Sequence, residues 1–399
     1  MRRALVLSST IALLTACSSG GVSSNPPGPI SNASAASSPT FSVDGGTVSR
    51  AKAGLGKVLT SAHGGQVFGF DVNQNGTDGL LSESQSSGGK PAIETFNLKT
   101  AKITKIVKTL NASSNDDFVT FGIVGNDVGF VDEQRVKLDP ESRHDRFFLL
   151  NPVSGEKITG RWIPPHVTNS VLYQQAENQT TDTQVSAVFR NALSSDVPWL
   201  YVWDSATDKF LNFIRLQHTG EQMAEETSTN EAVLVGQAGS GVPAITLVNL
   251  KSGKLKTFNG LNNGPYGAGA ANGLAVDSHT GIACTTTELN AQVEFYDLAK
   301  ETGVAVQLPN TGPASQFNSG SAVANDSEDG LFLVAQPYSS TGGDSAIYVY
   351  DETGDLIESL NGFDFSTLYL PPLRIAVNPG LRLGLVDGPN ADQLQEFTY

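Results

Sequence analysis

The chain has 399 residues, with 40 acidic and 25 basic side chains and a formal net charge of −15. This acidity excludes non-specific binding to nucleic acid and disfavours an anionic lipid surface. Only 16% of the residues are charged, 39% are hydrophobic and 41 are glycine, which is typical of a turn-rich all-β protein and excludes a disordered chain.

Residues 1–16 are predicted to form a signal peptide, because two arginines precede an apolar stretch that is too short to span a membrane. The sequence Leu14-Thr15-Ala16-Cys17 follows and resembles the lipobox of bacterial lipoproteins, in which cleavage leaves an N-terminal, lipid-modified cysteine. The resemblance implies anchoring of Cys17 in the lipid membrane. Because Ser18 and not aspartate follows, it also implies the outer membrane, facing the periplasm or the cell surface. An ordinary signal peptide with a chance cysteine is the alternative.

Residues 17–40 are predicted to be a flexible tether behind the lipidated cysteine. They are rich in Ser, Gly, Ala, Pro and Asn and carry no charge, so they cannot bury enough apolar area to fold. Loss of the two N-terminal arginines takes the net charge of the mature chain from −15 to −17. If Cys17 carries lipid, Cys284 has no partner, and its place within a strand predicts a buried small apolar residue.

Residues 41–399 are predicted to form one β-propeller. The unit is clearest at 272–309, where four strands are expected at Gly273–Asp277, Ile282–Thr287, Gln292–Leu298 and Val304–Leu308. Its third strand, an apolar run that ends in Asp or Asn and then turns, recurs every 45 to 54 residues. The copies are Ile93–Asn97, Phe147–Asn151, Leu200–Asp204, Ile245–Asn249, Val293–Asp297 and Ile347–Asp351.

A seventh copy ends the chain with three strands and lacks the fourth. The segment Lys57–Thr60 is expected to fill that place by pairing with Leu394–Tyr399, and Phe41–Val48 is the other candidate. The prediction is therefore a seven-bladed propeller of four-stranded antiparallel blades, closed by an N-terminal strand. Closure of this kind removes an exposed strand edge.

A calcium loop is one interpretation of the segment that follows the first predicted strand. Oxygen-bearing side chains alternate there with a glycine, Gly76, at the sixth position, as in calcium-binding loops. The pattern resembles the loops of integrin-type FG-GAP blades, but the closing acid is at the eighth position and Ser82 occupies the twelfth. The alternative is a hairpin turn. The candidate ligands are Asp71, Asn73, Asn75 and Asp78.

The connections between blades carry a histidine or an aromatic residue in most copies. In a propeller these connections line one end of the central channel, so their side chains predict a site for a glycan or small molecule. The alternative is that the rings plug the channel or wedge between blades. The candidates are His63, His166, His218, Tyr266, Phe317 and Tyr369, with Glu225, Glu226 and Arg374 expected near the starts of inner strands.

The pattern Gly264-Pro-Tyr-Gly followed by Gly273-Leu-Ala-Val-Asp277 resembles the YVTN/lactonase-like seven-bladed propellers. That superfamily contains lactone hydrolases, redox-enzyme subunits and members without known activity, so fold alone does not transfer function.

Two functions follow from the sequence. The first is a monomeric, non-enzymatic surface lipoprotein that binds a protein, glycan or small molecule, with calcium as its sole candidate cofactor. The alternative is a lactonase-like hydrolase in which His63, His166 or His218 is the general base. A histidine within hydrogen-bond reach of a carboxylate such as Glu225 would favour the alternative.

Overall fold

A computed structural model describes residues 53–83, 92–108, 117–124, 128–135, 145–158, 171–178, 183–189, 199–204, 207, 209–216, 220–238, 242–261, 271–287, 292–309, 322–337, 345–365 and 374–399. Several predicted features lie outside these residues, namely Cys17, Phe41–Val48, His166, His218, Tyr266, Phe317 and Tyr369.

The described residues form seven antiparallel sheets that follow one another along the chain. The first sheet contains β2 (Val67–Val72), β3 (Asp78–Glu83), β4 (Ala92–Asn97) and β5 (Lys102–Lys108). The second contains β6 (Asp117–Val124), β7 (Val128–Arg135) and β8 (Asp145–Leu150). The third contains β9 (Val171–Asn178), β10 (Thr183–Phe189), β11 (Trp199–Asp204) and β12 (Lys209–Arg215).

The fourth sheet contains β13 (Gly220–Glu226), β14 (Glu231–Ala238), β15 (Val242–Asn249) and β16 (Leu255–Asn259). The fifth contains β17 (Ala271–Asp277), β18 (Ile282–Thr287), β19 (Gln292–Asp297) and β20 (Thr302–Gln307). The sixth contains β21 (Ala322–Asp326), β22 (Leu331–Gln336), β23 (Ser345–Asp351) and β24 (Leu356–Phe363). The seventh contains β25 (Ile375–Asn378), β26 (Leu383–Asp387), β27 (Gln393–Thr398) and β1 (Gly54–Thr60).

Six of the sheets have the four strands that the sequence predicts, and the second has three in the described part of the chain. There, a single bridge between Leu150 and Lys157 takes the place of a fourth strand. A short 3-10 helix, Pro379–Leu381, joins β25 to β26. Within the described ranges, no helix has the length and hydrophobicity that a membrane span requires.

The Asp or Asn that ends each repeated third strand starts a turn, as its position predicts. The Asn97 side chain accepts the backbone N–H of Thr100 at 3.0 Å, and Asp297 accepts that of Lys300 at 2.9 Å. The same contact recurs at Asn151, Asp204 and Asn249, while Asp351 accepts the N–H of Thr353, two residues on. The repeated Asp or Asn in the sequence therefore marks the turn after each third strand, where its side chain accepts a hydrogen bond from nearby backbone.

The strand β1 pairs with β27, as expected for the segment Lys57–Thr60. Val58 lies opposite Gln395, Leu59 opposite Leu394 and Thr60 opposite Gln393. The first strand of the chain thus supplies the outer strand of the last sheet, with its own outer edge facing away from β27.

Seven hydrophobic clusters lie between successive sheets. One cluster joins the last sheet to the first, because Leu385 and Leu394 pack with Leu81 and Phe96, and Leu59 of β1 is buried in the same cluster. The first strands of the sheets contact one another in the cyclic order β2, β6, β9, β13, β17, β21, β25 and again β2. Each sheet therefore buries both faces against its neighbours, which a single blade cannot do alone.

A glycine in the second strand makes room for an aromatic ring of the third. A Cβ on Gly79 would collide with the ring of Phe96 and lie 2.7 Å from the carbonyl oxygen of Asp71. Gly384 has the same relation to Phe397 in the last sheet. Both rings are buried in the cores between sheets, so these glycines permit close packing of the sheet on itself.

Hydrogen bonds also join the turns between first and second strands of neighbouring sheets. These contacts are Thr227 N to Ser278 Oγ at 2.8 Å, His279 Nδ1 with Ser327 O at 2.7 Å, and Asn378 Nδ2 to Asn73 O at 2.6 Å. They tie the same end of successive sheets together, the last of them across the junction of the seventh sheet with the first.

Candidate functional site

Two buried glutamates lie beneath the connection that runs from β1 to β2. Glu94, in the middle of β4, accepts the backbone N–H of Ala62 at 3.0 Å and that of His63 at 2.7 Å, one on each carboxylate oxygen. Glu83, at the end of β3, accepts the N–H of Gly65 at 3.3 Å. Both glutamate side chains have no exposed surface. The carboxylates therefore fix the backbone at the junction of the last and first sheets.

Burial sets the protonation of this pair. It raises the pKa of Glu83 to about 8, and the nearby charge of Glu94 adds to the rise, while the N–H of Gly65 opposes it. Burial also raises the pKa of Glu94, against the opposing effects of two backbone N–H groups and of His63. At neutral pH Glu83 is consequently mostly protonated. Its Oε1 atom is buried and has no hydrogen-bond partner among the described residues.

Arg374 enters the same junction from the seventh sheet. Its backbone N–H donates to Asp387 Oδ2 at 2.9 Å, and burial raises the pKa of Asp387 to about 6. Its guanidinium reaches the first sheet, because a Cβ on Gly69 would lie 2.8 Å from Arg374 Nη1 and 3.2 Å from the buried Ser82 Oγ. Burial lowers the pKa of the guanidinium.

Among the described candidates for the channel mouth, the structure places two in this junction. His63 precedes β2, the first strand of the first sheet, and Arg374 precedes β25, the first strand of the seventh. Because β2 and β25 contact each other, the two residues enter one region from adjacent sheets. Their role in ligand binding stays a prediction.

Glu225 and Glu226 were expected at the start of the inner strand of the fourth sheet. That prediction was wrong, because they are the last two residues of β13. Glu226 accepts the N–H groups of Ser228 at 3.2 Å and Thr229 at 2.6 Å and thereby holds the β13–β14 turn. Glu225 is buried, and desolvation raises its pKa well above the ordinary value. The carboxylate next to His63 is Glu94.

The proposed calcium ligands lie in the β2–β3 hairpin, with Asp71 on β2, Asn73 and Asn75 in the turn, and Asp78 at the start of β3. Asn73 Oδ1 accepts the N–H of Asn75 at 2.9 Å, Asn73 Nδ2 donates to Asp78 Oδ2 at 3.5 Å, and Asp71 Oδ1 accepts the N–H of Val72 at 2.8 Å. No group of three or more His, Cys, Asp or Glu side chains suited to a metal occurs in the described ranges. These contacts are those of a hairpin turn. Calcium binding stays a prediction.

The sequence reasoning missed Glu83, Glu94 and Asp387. The signal for Glu94 was present, since a glutamate within the apolar run Ile93–Phe96 of a charge-poor chain indicates a buried, partnered group. Glu294 occupies the same position in the fifth sheet. It accepts the hydroxyl of Tyr296 at 2.5 Å, and that hydroxyl accepts the N–H of Leu261 from the preceding connection. Two sheets thus use an acid in the third strand to hold the chain that enters from the sheet before.

Seven sheets that share cores in cyclic order define the class of protein, a β-propeller. Similar solved structures are WD40 propellers. A chain of the crystal structure of a mitotic checkpoint complex aligns with a TM-score of 0.59 and 9% identity over 92% of this chain and 99% of that one. The structure of U3-55K gives 0.61 and 11% over 86% and 98%, and that of the RRP9 WD40 repeats gives 0.60 and 11% over 86% and 96%.

At these identities the likeness concerns the fold alone. No protein-family model matches the sequence, and no curated protein matches it. The resemblances to lactonase-like propellers and to lipoprotein signal peptides therefore stay predictions from the sequence.

Proposed function

We propose that this chain is a membrane-anchored, extracytoplasmic β-propeller lipoprotein that binds a partner protein and catalyses no reaction. In this proposal the domain is a seven-bladed ring that β1 closes. The fold likeness supports it, because one matched chain belongs to a multiprotein complex and another is made of WD40 repeats. A rigid ring that presents its inter-blade connections at one end is a scaffold for such contacts.

The contacts of two buried glutamates, Glu94 and Glu294, support the proposal that the chain catalyses no reaction. Both oxygens of Glu94 accept backbone N–H groups, and Glu294 acts on a connection through Tyr296. Carboxylates engaged in this way hold the connections in place, and their oxygens are not directed at a substrate. The connections then form a fixed surface for recognition.

Position-specific crosslinking tests the interaction. A photo-crosslinking amino acid replaces His63, at the connection end, or His279, at the opposite turn end, where the side chain is 73% exposed. The proposal predicts an adduct of discrete mass with a second protein at position 63 and none at position 279. Equal adducts at both positions, or none at 63, would contradict it.

The anchor is tested separately by Cys17→Ser. The substituted protein is expected in the soluble fraction, whereas Cys284→Ser, at a buried thiol, serves as the control that stays with the membrane. A Cys17→Ser protein that remains in the pellet and floats with lipid would refute the anchor.

A lactonase-like hydrolase is the second candidate, and the pair Glu83 and Glu94 beside His63 is the observation that favours it. Two buried carboxyls with raised pKa values beside a histidine resemble an acid–base pair. If the chain hydrolyses lactones, Glu83→Gln and His63→Ala should lower kcat/KM by about 10² or more while the melting transition stays in place. Absence of hydrolysis in the wild-type protein would eliminate this candidate.

A further inference from the structure

Four lysines lie along neighbouring outer edges of the seventh and first sheets. Lys57 is on β1, Lys99 is in the turn after β4, and Lys102 and Lys105 are on β5. All four side chains are exposed. Lys57 Nζ donates to the carbonyl oxygen of Lys99 at 3.2 Å, and β1 contacts β5, so the four belong to one surface, here named the lysine edge.

The two segments of the lysine edge contain basic side chains and no acidic ones. Segments 53–60 and 98–107, which contain all four lysines, include no aspartate or glutamate. In the described part of the chain none of the four forms a salt bridge, whereas Lys256 pairs with Glu301 and Lys300 with Asp297, each at 2.7 Å. Glu396 lies beneath β1 and is buried. The edge thus gathers four positive side chains on an acidic protein.

Exposed apolar side chains accompany the lysines. Leu55 and Val58 of β1 are 49% and 42% exposed. Ile106 continues the apolar strip on β5. Lysines interleaved with aliphatic side chains on one edge suit a surface with acidic headgroups above hydrocarbon.

The edge also contains the strand into which the N-terminal segment leads. Position 54, where β1 starts, is 37 residues after Cys17, so the proposed anchor joins the described domain at this edge. A lipid at Cys17 would therefore hold β1 closer to the bilayer than it holds the opposite side of the domain.

We propose that the lysine edge, with Leu55 and Val58, is the face on which the domain lies against an anionic phospholipid membrane. This inference rests on the proposed lipid anchor and adds the orientation of the propeller to it. The connection end at His63 would then face sideways along the membrane, accessible to a partner.

A labelling experiment on the lipidated full chain tests the orientation. Val58→Cys and the control Val304→Cys, which is similarly exposed at 46% on β20, each receive an environment-sensitive dye, and the buried Cys284 stays unlabelled. The proteins are reconstituted into vesicles of phosphatidylethanolamine with or without phosphatidylglycerol. We expect a blue shift and quenching by lipid-borne quenchers at position 58 with phosphatidylglycerol, and neither at position 304.

Charge reversal supplies the second arm. At about 1 kcal/mol per lysine near an anionic surface, loss of three positive charges alone should lower the docking equilibrium constant by roughly a hundredfold, and the three negative charges introduced by reversal lower it further. The variant Lys99→Glu/Lys102→Glu/Lys105→Glu should therefore bring the signal at position 58 down to that at 304. The matched control reverses three lysines of the fourth sheet, Lys251, Lys254 and Lys256, and should leave the signal unchanged.

The outcomes distinguish failure of the proposed membrane orientation from failure of the proposed lipid anchor. Protein that fails to float with phosphatidylethanolamine vesicles would refute the anchor. Protein that floats but gives equal signals at 58 and 304 would refute the orientation alone. A dye at 58 that responds to added envelope proteins and not to phosphatidylglycerol would overturn the lipid proposal in favour of a protein partner at this edge.

Discussion

The substitution Leu59→Ala measures how much the pairing of β1 with the last sheet contributes to stability. Leu59 is 2% exposed and packs in the cluster that joins the seventh sheet to the first, which also contains Leu394 and Phe96. Truncation of a buried leucine loses its transfer free energy and leaves a cavity, at a total cost of about 3 kcal/mol. Since a domain has about 5–15 kcal/mol of net stability, this loss is a large fraction of the whole.

Urea unfolding followed by tryptophan fluorescence provides the assay. The adjacent Val58→Ala is the control, because Val58 is on the same strand but 42% exposed, and its free energy of unfolding should change by less than about 0.5 kcal/mol. Removal of residues 18–40 should likewise have little effect, whereas removal through Ser61 should expose the edge of β27 and cause aggregation. Equal unfolding midpoints for Leu59→Ala and Val58→Ala would refute the structural role assigned to β1.

Three further predictions concern a glycine, a buried acid and the hairpin turn. Gly79→Ala should lower the free energy of unfolding by about 2 kcal/mol or more through its clash with Phe96, whereas Gly54→Ala, with no atom within 4 Å of its Cβ, should be neutral in the same urea titration. Because the folded pKa of Glu83 is about 8 against an ordinary 4.5, the folded state binds more protons than the unfolded one, so stability falls as pH rises between these values. Glu83→Gln should flatten that part of the pH profile, and an unchanged slope would count against the buried, protonated carboxyl. Millimolar calcium should raise the melting temperature if the loop binds it, and Asp71→Ala should abolish the rise; identical melting in calcium and chelator would show a hairpin turn only.

The repeat could be predicted because local chemistry dictates it. An Asp or Asn that forms a turn, such as Asn97 or Asp297, ends each repeated third strand. The spacing of these residues along the sequence therefore gives the period of the repeat. The fifth sheet therefore has its strands within two residues of the predicted bounds. The pairing of β1 with β27 could also be predicted, because the last copy lacked one strand and closure of an edge is favourable.

The candidate site was harder to predict, because it depends on contacts between distant segments. Glu94 binds the backbone of residues 62–63, which no local pattern announces. Glu225 and Glu226 were assigned to the wrong end of β13, since the sequence around them does not reveal where the strand starts. Spacing alone likewise could not separate a calcium loop from a hairpin turn at Asp71, as both place oxygens at alternate positions.

The pairing of β1 with β27 has a consequence for biosynthesis. The backbone N–H of Lys57 meets the Glu396 side chain across 339 positions of the sequence. A ribosome makes the chain from its N terminus at about 5–20 residues per second, so β1 waits on the order of 20–70 s for the strand that covers it. During that interval the core cluster of Leu59 is incomplete, because Leu385 and Leu394 are made last. The nascent β1 therefore has no partner strand until the last residues are made, and slower synthesis would lengthen that interval without changing the finished protein.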